Sequence, residues 1–409
     1  MILFVLTKLI SSKQGLNTAV KRSKVEAEID NSMKVLQILE ATGGGTARHV
    51  VDLCHGLVLR GVEVYLAYSP LRMDNIFALA LPELEKAGVR CLEVPMRRAP
   101  HPSDLRALFI LNKYVRAFGH FDIIHGQSAK GGALARLLRM LTQGKIVYSP
   151  HGFVSFYPTN SGLLGRFYAF MESVLAPLTD AIVVVSKWQI NEAAILHYTH
   201  NQIRLIPNGL DLHNDNVCSR LEVRKNLHIG LEQVTIGFVG RLAIPKSPFM
   251  LLEAFAQVAH NHPQACLVIV GDGPLRTELE ARVNALGLAD RVFLPGFIDG
   301  RWAMRGFDIF ALPSEYEGFP YVLLEAMAEG LPIVATCVGG ADQAIVDGEN
   351  GFVVPVGDVM AFAGALDRLL SDEALRLSMG AQSRLRVKEF SVEKMVDATL
   401  ALYRELAGR

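Results

Sequence analysis

The stretch from 208 to 240, NGLDLHNDNVCSRLEVRKNLHIGLEQVTIGFVG, decides the fold. It leaves a strand-like run, IRLIPNG at 203–209, crosses a polar tract at 210–233, and enters a fresh apolar run, TIGFVG at 235–240. A polar tract after Pro207-Asn208-Gly209 and before a new strand marks a place where few contacts cross. The chain has 409 residues, more than the roughly 250–300 at which a single core stops growing, so two cores are expected to meet here.

The same alternation runs on both sides of this boundary. Short apolar runs bounded by turn residues recur at 35–39 (VLQIL), 62–68 (VEVYLAY), 122–126 (DIIHG), 145–150 (KIVYSP) and 181–186 (AIVVVS). They return at 266–273 (CLVIVGDG), 291–296 (RVFLPG), 308–314 (DIFALPS) and 332–337 (PIVATC). Helical spacing fills the gaps, as at Leu251, Leu252, Phe255 and Val258. Strands alternating with helices build parallel sheets, so the expectation is α/β, with two doubly wound domains. The division read from the sequence is 33–209, a linker at 210–233, a second domain at 234–385 and a C-terminal helical segment at 386–409. The apolar spacing of Met395, Val396, Leu400, Leu402 and Leu406 suits a helix that either caps its own domain or crosses back to the first. Residues 1–32 open with MILFVLTKLI and turn charged from Lys21 to Asp30. They are expected to lie outside the fold, with Met33 the better start.

Formal net charge is zero, but it is unevenly placed. Residues 33–205 hold 18 Lys and Arg against 12 Asp and Glu, and residues 206–409 hold 18 against 26. A basic front half including Arg97, Arg98, Arg106, Lys113 and Arg116 suits either an anionic partner, such as lipid headgroups or a polyprenyl diphosphate, or plain solvated helix faces. Nothing points to nucleic acid. The five scattered cysteines form no short-spaced pair, which reads as a reduced cytosolic protein without disulfide framework or zinc site. No apolar run approaches the roughly 18–20 residues that span a bilayer.

Three constellations carry chemistry. The first is Gly43-Gly44-Gly45 between the opening strand and a helix, either an anion cradle at a helix N-terminus or only a tight turn. The segment Ala67-Tyr68-Ser69-Pro70, which ends the next strand, lacks the acid that a dinucleotide site needs. The second is Gly240-Arg241 with Lys246, two cations after a strand where α/β ligands bind, suited to a diphosphate. The third is SEYEGFP at 314–320 followed by LLEAMA at 323–328. Pro320 suits a helix start, which puts Glu325 inside a helix in apolar company, where a carboxylate needs a polar partner such as sugar or ribose hydroxyls. An exposed helix face for Glu325 and a helix-start charge for Glu317 fit equally well.

This ordered set, GGG, GR with a following Lys, EGFP with a second Glu eight positions on, and PNG at the junction, resembles glycosyltransferase family 4 over about 33–400. The resemblance implies a GT-B fold, two Rossmann-like domains facing across a cleft, and a retaining transfer. Arg241 and Lys246 would then bind the donor diphosphate beside Gly240, and Glu325 would hold the ribose. Glu317, with the backbone of Gly318 and Phe319, would orient the transferred sugar. His151 would reach that sugar from the first domain, and Gly44 and Gly45 would close over the diphosphate or the acceptor. The family needs no side-chain nucleophile, metal or other cofactor. Two departures concern the lysine loop: Ser247-Pro248 replaces the glycine that commonly follows, and Ile244-Pro245 replaces the usual acid before it. The segments at 125–132 (HGQSAKGG) and 148–153 (YSPHGF) are similar to bacterial enzymes that build polysaccharide units on lipid carriers.

The expected activity is therefore transfer from a nucleotide-diphosphate sugar, UDP-linked, to a hydroxyl of a lipid-linked or saccharide acceptor in cell-surface polysaccharide biosynthesis. The expected location is cytoplasmic, peripheral on the inner membrane face. Two alternatives share the fold: a non-hydrolysing UDP-sugar 2-epimerase and a non-catalytic nucleotide-sugar-binding subunit. The EGFP segment and the Arg241 and Lys246 pair favour the transferase.

Overall fold

The computed structural model describes residues 33–160, 162–213 and 218–409, so the extension expected at 1–32 lies outside the described residues. Every apolar run named above forms a strand. The first domain holds β1 (Lys34–Leu39), β2 (Glu63–Tyr68), β3 (Arg90–Glu93), β4 (Ile123–Gln127), β5 (Lys145–Ser149), β6 (Ala181–Val184) and β7 (Ile203–Leu205). The second holds β8 (Val234–Val239), β9 (Ala265–Val270), β10 (Val292–Gly296), β11 (Ile309–Leu312), β12 (Ile333–Thr336) and β13 (Gly351–Val354). The sheet orders are β3-β2-β1-β4-β5-β6-β7 and β10-β9-β8-β11-β12-β13, and the pairings are parallel.

Parallel strands covered on both faces need apolar side chains at every position. Along β9 the residues alternate between two cores, Leu267 and Ile269 on one face, Cys266, Val268 and Val270 on the other. The apolar periodicity missed β3 and β13. Both are edge strands of four residues; β3 is only half buried and carries no long apolar run, whereas β13, GFVV, is mostly buried.

In each sheet the order reverses beside the first strand, between β1 and β4 and between β8 and β11. Connections leaving on opposite faces open a crevice at the carboxyl ends there. That crevice receives residues 40–46, 128, 240–247 and 313–320, the segments that carry the candidate residues.

Much of the expected linker is folded. The helix Arg220–Asn226, capped by the Ser219 hydroxyl, buries Val223 with Leu227 and Ile229 in the second domain's core. The crossing itself is a pair of strands of chain side by side: Leu210 N–H donates to the Phe390 carbonyl at 2.8 Å, and Val392 N–H to the Leu210 carbonyl at 3.2 Å. Gly209 is required, since a Cβ there would sit 2.4 Å from the Ser391 carbonyl oxygen. The final helix, Val392–Ala407, then packs on Gly44–Leu59, with Met395, Val396, Leu400, Leu402 and Tyr403 inside the first domain's core. Gly56 permits the approach, because a Cβ would lie 2.6 Å from Val396 Cγ2.

Candidate functional site

The second domain supplies two loops. After β8, Gly240 leads to an exposed Arg241 and a short turn, Ile244–Lys246. Ser247 then takes φ +45°, the left-handed conformation a glycine adopts freely, so a serine stands here in glycine's conformation. After β11, residues 313–320 run to Pro320, which stands just outside the helix Tyr321–Ala328 rather than in its first turn. Lys246 Nζ pairs with Glu317 Oε1, which also accepts the Ser314 hydroxyl at 2.7 Å.

Glu325 finds its polar partner within the protein. Arg48, on the first-domain helix Gly44–Leu59, donates to Glu325 Oε1 across the cleft. The guanidinium also lies 5.1 Å over the Tyr321 ring and 3.8 Å from Asp52. Burial pushes the Asp52 carboxyl up to about 6, against the pull of Arg48 and with the charge of Asp211 adding to the rise. The exposed-face reading of Glu325 is excluded: its side chain is 12% accessible.

The first domain supplies His151, which follows β5 with φ +57°, an uncommon conformation for a residue with a side chain. Its Nε2 lies 2.7 Å from Gln127 Oε1. Gln127 in turn donates to Gln37 Oε1 at 2.9 Å, and Gln37 donates to the Tyr403 hydroxyl at 3.0 Å. His125 joins that hydroxyl and the Ser149 hydroxyl. Since Gln127 uses its carbonyl oxygen, Nε2 of His151 carries the proton and Nδ1 keeps a lone pair. Burial, with His49 and His125 nearby, holds His151 well below the usual histidine range, so the ring is neutral. The C-terminal helix thus sets the histidine's tautomer.

Across the cleft the two walls touch. A Cβ on Gly318 would sit 2.3 Å from the His151 carbonyl oxygen. Tyr316 hydroxyl accepts the Phe153 N–H and donates to Glu192 Oε2, each at 3.2 Å. Asn208 accepts from His49 and donates to the Phe319 carbonyl at 2.8 Å. Arg241 and His151 line one cavity with Glu40, Thr46, Arg72, Arg98 and Lys130. Glu317 lines the neighbouring pocket with Phe156, Trp188 and Glu192.

One expectation changes. The Gly44 amide donates to Asp74 Oδ2 at 2.9 Å, so this amide of the glycine turn is spent on a carboxylate and is not aimed at a bound anion. Gly45 makes room for the Tyr321 ring, 3.2 Å from where a Cβ would be. The Phe319 ring is a core group, 3% exposed and 5.3 Å from Phe390. Arg48 escaped the sequence reading, although a cation in a helix's first turns opposes the macrodipole and so signals a partner elsewhere. Among the described residues no group of His, Cys, Asp or Glu is arranged to hold a metal ion.

Two doubly wound domains facing across such a cleft are the GT-B fold. Residues 43–214 match the family model described as Glycosyltransferase Family 4, and residues 219–386 that of Glycosyl transferases group 1. The Escherichia coli UDP-Gal:alpha-D-GlcNAc-diphosphoundecaprenol alpha-1,3-galactosyltransferase is 30% identical over 328 residues, 77% of this chain and 84% of its own. Among solved structures, Anabaena HepE in complex with UDP and glucose superposes with TM-score 0.76 at 20% identity, covering 91% of this chain and all of that one. Sucrose-phosphate synthase from Thermosynechococcus elongatus superposes equally well, TM-score 0.76 at 24% identity over 92% and 99% of the two chains. The chain belongs to glycosyltransferase family 4 and is a glycosyltransferase.

Proposed function

We propose that the protein is a retaining transferase that moves a sugar from a UDP-linked donor to a hydroxyl of a lipid-linked or saccharide acceptor, in the building of cell-surface polysaccharide. The observation that carries this reading is the Arg241, Lys246 and Glu317 set of the second domain facing His151, with Gly318 against the His151 carbonyl. Arg241 makes no ion pair among the described residues, and with Lys246 it takes the donor diphosphate and offsets charge on the leaving group. As the diphosphate takes the lysine, Glu317 is freed to accept sugar hydroxyls. The neutral His151 offers Nδ1 to another hydroxyl and does not act as a cation. Glu325, fixed through Oε1 by Arg48, presents Oε2 to the ribose. The leaving phosphate deprotonates the acceptor on the same face, so no side-chain nucleophile is assigned, and the two cations do the work a metal would otherwise do.

The E. coli relative, by its name a UDP-galactose enzyme acting on a lipid diphosphate, supports both the donor and the acceptor class. A lipid-linked acceptor puts the proposed enzyme at the inner face of the membrane as a peripheral protein. Among the described residues no helix is long and apolar enough to cross a membrane. The test is a panel of UDP-, GDP- and ADP-sugars, followed by release of the nucleoside diphosphate with and without added membranes. Release from a UDP-sugar that rises when membranes are added is expected. Isomerised free UDP-sugar without acceptor would establish an epimerase, and binding without any turnover a non-catalytic subunit.

A further inference from the structure

Beside the cationic cleft runs a second groove, between the helices Ser128–Leu138 and Leu163–Leu175. Its walls are Ala133, Leu134, Leu137, Phe167, Met171 and Leu175. Apart from Arg98, the charges that also border it are satisfied within the protein. Arg136 pairs with Glu172 at 2.7 Å and donates to Tyr198 at 2.6 Å, and Lys130 pairs with Asp104. What this groove offers an occupant is therefore apolar contact. Arg98, Ala129, Lys130 and Tyr168 line both the groove and the cleft that holds His151 and Arg241, so the two spaces meet. Arg98, at that meeting point, is exposed and makes no ion pair among the described residues.

The outer face of the same helix is also apolar. Leu163, Leu164, Phe167, Phe170, Met171 and Val174 are 38–84% exposed, and their spacing puts them along one side of the helix. A contiguous apolar stripe of this kind is rare on a surface that meets only water. Arg166 stands exposed at its edge.

We infer that this groove takes the hydrocarbon chain of a lipid phosphate acceptor, with the phosphate at Arg98 and the acceptor hydroxyl reaching into the cleft toward His151, while the stripe on Leu163–Leu175 lies in the bilayer surface that holds the lipid. The inference rests on the proposed transferase reading and specifies its acceptor side. An apolar chain joined to an anion matches an apolar groove that ends at an unpaired arginine. A partner helix laid in the groove would instead crowd the residues it shares with the cleft and obstruct the acceptor's path.

Calorimetric titration of the full chain with geranyl diphosphate and geranylgeranyl diphosphate, both below their micelle concentrations, tests this, with inorganic pyrophosphate as headgroup control and UDP as donor-site control. Each further methylene buried adds roughly fourfold in affinity, so the longer chain is expected to bind at least about tenfold more tightly. Ala133→Trp fills the groove and Phe167→Asp charges its lip; each should abolish the gain with chain length and leave UDP affinity unchanged. Should either variant fold poorly, the other still decides. Equal binding of the two prenyl chains, a gain that survives both variants, or displacement of geranylgeranyl diphosphate by UDP would overturn the inference. Failure of UDP to bind the unaltered protein would instead strike the proposed function, so the two failures are distinguishable.

Discussion

Arg48→Ala removes the guanidinium that reaches Glu325 from the opposite domain. Exposed ion pairs contribute about 1 kcal/mol or less, whereas stripping one partner from a buried pair costs about 3–5 kcal/mol. This pair lies between those limits, with side chains 31% and 12% exposed, and a loss of about 2 kcal/mol is expected. Since the arginine occupies Oε1 and leaves Oε2 for the ribose, its loss should raise the Kd for UDP by about ten- to thirtyfold. The effect should fall on KM for the donor more than on kcat, because the reacting sugar is held by other residues. Thermal unfolding should drop by about 4–8 °C, taking about 2–4 °C per kcal/mol for a domain of roughly 150–250 residues. Arg48→Lys should recover part of the affinity, since an ammonium keeps the charge but not the planar fork. Calorimetry with UDP and initial-rate kinetics read out both quantities. If Arg48→Ala folds normally and binds UDP as tightly as the unaltered protein, or more tightly, the pair obstructs the ribose site and the reasoning fails.

Lys246→Ala should weaken UDP binding about tenfold or more, the worth of a charged hydrogen bond, while Glu317→Gln should spare UDP binding and lower kcat about a hundredfold; equal effects of both on Kd and kcat would contradict the division of roles. Chelator treatment should leave the transfer rate unchanged, and a rate restored only by added divalent cation would refute metal-independent catalysis. Burial lowers the His49 pKa to about 4, so below the unfolded value near 6.5 the unfolded chain binds a proton the folded one does not. Its contribution is flat above pH 6.5 and becomes destabilising by up to about 3 kcal/mol as the pH falls to 4, and urea unfolding of His49→Gln should show a shallower acid slope. Gly56→Leu should cost about 3 kcal/mol or more by forcing the final helix away from Gly44–Leu59, with Val396→Ala recovering part of it in a double-mutant cycle.

The local periodicity of the chain was enough to set out two parallel α/β domains and a boundary near 210, because burial on both sheet faces demands apolar runs wherever a central strand lies. It failed for β3, whose half-buried edge position relaxes that demand, for the four-residue β13, and for the expected linker, whose helix Arg220–Asn226 is only two turns long and buries a single apolar residue, Val223. The order of short motifs likewise pointed to Arg241, Lys246, Glu317 and Glu325 as one group, since loops at strand ends converge at a switch point whatever the details of packing. Who partners whom was decided only by docking the domains. Glu325 needed a polar neighbour, a demand visible in LLEAMA, but Arg48 stands 277 positions away and answers it only once the two sheets face each other. His151 owes its neutral ring to burial beside His49 and His125, and the placing of its proton to a chain of hydrogen bonds that ends at Tyr403, on a helix that returns to the first domain after the second is complete. A sequence pattern records which face of an element is buried; the identity of the group that buries it is a property of the assembled fold.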